Sequence, residues 1–178
     1  MEIDMNHPIV QLVSMEGVWH HLFSMCGMSA MERGAKLIEP IDLVKAIYIV
    51  DLEHVSMFWN DWRNYEKFVS EVILANGRKG GYINRTERIL QLYMIGRENP
   101  GQFAFMMTPS PMLQDIVFSA RKLAQERSGE DEPPSSCDLL YCTCSQDAGL
   151  SEALKQSGLQ LERLASAVKG TSRWPRSR

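Results

Sequence analysis

The stretch Ile89 to Thr108, ILQLYMIGRENPGQFAFMMT, is the strongest constraint on what this chain can fold into, because there the apolar period changes from helical to strand-like. Leu90, Leu92 and Met94 alternate on one side, and Phe103, Phe105 and Met107 do the same after Gly96–Gly101, a run dense in turn-forming residues. The pattern predicts a β-hairpin. A two-stranded hairpin is marginally stable alone, so helices must cover its apolar side, and its edges stay open to a partner strand. The expected fold class is therefore α+β, mainly α, with helices packed on a small antiparallel β-hairpin sheet.

Helical spacing dominates elsewhere. Pro8 suits the first turn of a helix carried by Ile9, Leu12, Val13, Trp19, Leu22, Phe23 and Cys26, which is expected to end or bend at Gly27. A second helix is predicted to start at Glu39-Pro40. No proline or glycine then occurs until Gly77, and the span is rich in apolar residues at helical spacing. One helix of that length exceeds the usual range, so a break is expected near Asp51 or at Asn60-Asp61, with Asn76-Gly77 as the closing cap. Ser110 and Pro111 mark a further start, with Leu113, Ile116, Val117, Ala120, Leu123 and Ala124 as its stripe and Gly129 beyond its end. No internal repeat is evident.

At 178 residues the chain accommodates one ordinary domain with a real core. We expect a single globular domain over 1–128 and a linker at 129–136, where apolar residues vanish and two prolines adjoin. A C-terminal segment over 137–170 comes next, with an amphipathic helix capped by Ser151, and then a disordered basic tail over 171–178. A hydrophobic content of 44% with 23% charged residues excludes wholesale disorder. The net charge of -3 argues against a dedicated nucleic-acid-binding protein. No stretch is apolar and long enough to cross a bilayer, and acids stand where a secretory signal would place bases, so no membrane insertion and a cytoplasmic location are expected.

No catalytic constellation is complete, so no enzymatic activity and no cofactor are expected. Cys137, Cys142 and Cys144 lack the paired spacing and fourth ligand of a zinc site, and no histidine occurs after His54, so no metal is expected. His20 and His21 point about 100° apart on a helix and cannot chelate one ion. A Cys26 dyad with His21 or His54 is weaker than a buried structural thiol, since nothing nearby predicts a lowered pKa. The loop RKGGYINRTER lacks both the Walker and the dinucleotide glycine patterns. Its Arg78, Lys79, Arg85 and Arg88 form the nucleic-acid-binding alternative, a DNA-binding regulator gripping phosphates with a basic loop.

The aromatic run Phe58, Trp59, Trp62 and Tyr65 gives an apolar arc wider than one packed seam needs. Such a helix is either buried on two sides or binds another protein. With Phe103 and Phe105 on the hairpin edge, these residues are the expected partner-binding set. The partner would be a protein, in a hetero- or homodimer, and the function that of a non-enzymatic adaptor or chaperone.

A helix ending in an ANGRKGG-type basic turn, then RILQLYMIGRENPGQFAFMMT as a hairpin, then a helix beginning DIVFSARKLAQER, resembles the small acidic IcmW-like adaptors of type IVB secretion systems over about residues 67–127. The resemblance implies a mixed α and β adaptor that pairs with a second small protein, helps hold secretion substrates and docks on a coupling ATPase. It assigns no binding role to a particular position in this sequence.

Overall fold

The computed structural model describes residues 18–75, 108–129 and 132–170. Helix α1, Val18–Glu32, buries Leu22, Phe23, Met25, Cys26 and Ala30 along its inner side. It runs through Gly27 without ending there. The left-handed terminator is Gly34, at φ 67°, where Ala35 N–H reaches back to Ala30 O at 3.0 Å and Gly34 N–H to Met31 O at 2.9 Å, a Schellman-type closure. A helix packed on both sides of a glycine tolerates the modest propensity loss there.

Strand β1, Leu37–Ile38, comes next and pairs with β2, Thr108–Pro109, as a two-residue ladder. The pairing is parallel, Leu37 opposite Thr108 and Ile38 opposite Pro109. This corrects the expected fold class: among the described residues the body is helical, and its one sheet is a parallel two-stranded ladder and not an antiparallel hairpin. Alternation of apolar residues marks a strand but says nothing of the direction of its neighbour, and parallel strands need a long crossover that no local turn signal announces. The expected arms at 89–107 lie outside the described residues.

Helix α2, Pro40–Val55, starts as expected, with Glu39 at the N-cap and Pro40 in the first turn. A break is expected near Asp51 or at Asn60-Asp61, and the chain departs from helix at both. Asp51 leaves helical geometry at φ -141° and ψ 35°, and after Val55 the chain passes through a 3-10 turn, Ser56–Phe58, and an extended Trp59 before helix α3, Trp62–Ala75. Helix α4, Pro111–Ser128, is capped by Ser110, whose side chain accepts from Leu113 N–H at 3.3 Å, and stops at Gly129.

Cys137–Cys144 is helical. It lies within α5, Ser136–Gln146, capped by Ser135. The last amphipathic stretch is two helices, α6, Ala148–Gln156, and α7, Leu161–Val168, separated by Gly158 at φ 99°. The cap of α6 is Asp147, accepting from Leu150 N–H at 2.9 Å, and Ser151 is a buried residue inside that helix. Leu43 and Ile47 of α2, Leu113 and Ile116 of α4, Leu139 and Leu140 of α5, Leu154 and Leu164 all belong to one core.

Two helix hairpins are closed by the same device. In α1–α2, the Arg33 guanidinium forks onto the Asp42 carboxylate at 2.9 and 2.6 Å, while Ser29 Oγ and Glu39 N–H also donate to it. In α4–α5, Arg127 forks onto Asp138 at 2.5 and 2.9 Å, while Ser135 N–H and Oγ also donate to Asp138. Each aspartate is the third residue of its helix and fully buried. Each fork sits at the same point of the sequence: Glu-Arg at the end of one helix, Asp-Leu in the first turn of the next.

Candidate functional site

The expected partner-binding aromatics separate into core and surface. Phe58, Trp59 and Tyr65 are buried, and Trp62 is 42% exposed. The four do not share a helical face, because the chain is a 3-10 turn at Phe58 and extended at Trp59 before α3 begins. That change of backbone turns Trp59 inward, where its ring stacks on Tyr65 at 4.0 Å and 5°, and Tyr65 meets Tyr48 edge-on at 5.2 Å. The polar ends are satisfied: Trp59 Nε1–H donates to Ser157 Oγ at 3.0 Å, and the Tyr65 hydroxyl to Val44 O at 2.7 Å. Burial drives the Tyr65 phenol well above its ordinary pKa, which keeps it a donor.

This stack fastens the end of the chain to its middle. Trp59 forms an isolated antiparallel bridge with Leu159, Gln160 N–H donates to Phe58 O at 2.8 Å, and Asn60 N–H to Gly158 O at 3.4 Å. Beside that junction lies an open groove lined by Lys155, Leu159, Gln160, Leu161, Glu162 and Arg163. The Trp62 ring carries the Arg63 guanidinium 5.7 Å from its centroid, a solvated cation–π contact.

Phe103 and Phe105, with Arg78, Lys79, Arg85 and Arg88 of the nucleic-acid alternative, lie outside the described residues, as do the Asn76-Gly77 cap and the 171–178 tail. The side chains of His20 and His21 are outside them too.

Among the described residues, three exposed large apolar side chains do not belong to the expected partner-binding set. Phe118 is 60% exposed and Met112 43% on α4, and Met31 of α1 is 43% exposed. The sequence does carry a signal: Phe118 stands out of register with the stripe of Leu113, Ile116, Val117 and Ala120. Alongside Met112 and Phe118, α4 carries Asp115, Lys122 and Glu126, the last two within 3.9 Å of each other.

The thiols are held in the protonated form. Burial pushes Cys137 up to about 12, Cys142 to about 11 and Cys144 to about 12. Burial, reinforced by the Asp42 charge, drives Cys26 well above its ordinary value, so no described cysteine has the lowered pKa that a nucleophile needs. Among the described residues, no three histidine, cysteine or acidic side chains converge as metal ligands, and no helix is long and apolar enough to cross a membrane.

Comparison with protein-family models, curated proteins and solved structures returns no match to this chain.

Proposed function

We propose that this chain is a non-enzymatic protein-binding adaptor or chaperone of a bacterial cytoplasm, which pairs with a second small protein and presents substrates to a secretion or conjugation apparatus. The observation that carries the reading is the outer face of α4. Phe118 and Met112 stand in solvent on a helix whose opposite side already supplies Leu113, Ile116 and Val117 to the core. Aromatic and methionine side chains bordered by charge match the composition of protein interfaces, and a single aromatic anchor often dominates their energetics. The IcmW-like pattern over 67–127 supports the secretion part of the reading.

The test is a photo-crosslinking amino acid placed at Phe118, at Trp62 and at exposed Glu152 of α6, in the native host. One discrete adduct from position 118, absent from 152, is the expected result. No adduct at 118, or the same smear from all three positions, overturns the α4 surface. Once the captured protein is purified, Phe118→Ala weakens its binding by about 2 kcal/mol, roughly thirtyfold in Kd by titration calorimetry.

A further inference from the structure

Helix α2 is interrupted at Asp51, and a helix that leaves its regular geometry needs contacts from outside to fix the direction of its last turn. Asp51 supplies them from both carboxylate oxygens. Oδ2 accepts from Ser136 Oγ–H at 2.5 Å, and Oδ1 is hydrogen-bonded to His54 Nδ1. Ser136 is the first residue of α5 and is buried. Its neighbour Cys137 directs its thiol at the His54 carbonyl oxygen, 4.0 Å away. The last turn of α2 is thus tied to the first turn of α5 by the Asp51 side chain and the His54 carbonyl oxygen, and the same Asp51 carboxylate holds the His54 ring, which changes charge near neutral pH.

We propose that Asp51, His54 and Ser136 form a pH-sensitive latch between the end of α2 and the start of α5, closed while His54 holds its proton and weakened when it releases it. The surroundings act in one sense. On its own helix His54 faces Asp51 and Glu53, both of which favour the imidazolium. From α5 it faces Cys137, whose pKa of about 12 keeps it a neutral thiol, and beyond Cys137 the Asp138 carboxylate is already engaged by Arg127 of α4.

The hydrogen bond that the His54 ring donates to the Asp51 carboxylate, then the Asp51 charge, raises the His54 pKa above the ordinary value. A raised folded-state pKa means that the native chain binds the proton more tightly than the unfolded one. The stabilisation is complete below the unfolded value of about 6.5 and disappears as pH rises through the folded one. Because the imidazole is largely exposed, the effect is modest, on the order of a two- to fivefold change in the opening equilibrium, as measured for exposed ion pairs.

The experiment tracks the His54 ring proton by NMR in the full chain, assigned by its loss in His54→Asn. Amide hydrogen exchange is measured alongside, at about pH 6 and about pH 8 on either side of the histidine range and corrected for intrinsic rates. The expected result is a His54 midpoint above that of a free imidazole, and protection at Val55 and Leu139 that falls two- to fivefold across the interval. The fall vanishes in His54→Asn, a change at an exposed position that leaves the core intact. Ser136→Ala keeps the raised midpoint but abolishes the pH dependence at Leu139. An unshifted midpoint overturns the proposal, as does a fall that persists in His54→Asn. A raised midpoint with pH-independent protection at Leu139 also overturns it, reducing the cluster to a local ion pair.

Discussion

Among the described residues, Asp42 and Asp138 are the most deeply buried charged side chains. Each carboxylate is removed from water and compensated by one forked guanidinium and by donors from its own helix cap. Removing the partner of such a charge is far worse than removing the pair, because the remaining ion is stranded. Arg127→Met therefore destabilises the chain by about 3 kcal/mol, while replacing both partners by apolar residues of similar volume restores much of the loss. Urea denaturation of the two variants decides it: a single variant within about 0.5 kcal/mol of wild type would mean that Asp138 is adequately served by the Ser135 donors. Arg127 has a second role, donating to Val168 O at 3.1 Å, so part of its loss is felt at the end of α7.

At the scale of elements, local chemistry was legible in the sequence, and pairing at a distance was not. Pro40, Ser110 with Pro111, and Gly129 announce helix boundaries because a cap acts within three or four residues of itself. Asp51 and Asn60-Asp61 announce breaks for the same reason. The direction of the β1–β2 ladder depends on residues 37 and 108 meeting, and no residue near either encodes that. The aromatic set is harder to read for a subtler reason. A helical wheel drawn over Phe58 to Tyr65 assumes a continuous helix, whereas the chain leaves the helix at Val55, so Trp59 turns into the core and Trp62 stays out. The boundary between α6 and α7 is visible in Ser157-Gly158 but is outweighed by the leucine spacing across it. Gly158 is needed there for its backbone: at φ 99° an L side chain is strained, although a Cβ would meet only ordinary contacts, 3.8 Å from Asn64 and 3.9 Å from Trp59. Gly158→Ala is expected to cost about 1 kcal/mol with no change in helical content by circular dichroism. A neutral or stabilising result would show that the turn adopts another conformation in solution.

For the whole molecule, the two Arg–Asp hairpins are built from neighbours in the chain, while the junction of Trp59 with Leu159 joins residues far apart in sequence. The difference is kinetic. Loop-closure entropy must be met before a distant contact gives any return, so short-range hairpins lead and long-range closure comes after. The prediction is that the Trp59–Leu159 bridge forms late in folding, after the barrier. Trp59→Phe, which removes the Nε1–H bond to Ser157 and part of the stack on Tyr65, should speed unfolding about tenfold for each 1.4 kcal/mol lost and leave the refolding rate nearly unchanged. Stopped-flow refolding and unfolding of the variant measure both rates, and an equal slowing of refolding would place the bridge in the nucleus. A chain closed last at this junction would come open first there, so the lifetime of the native state would be set by one indole buried against the turn that ends α6.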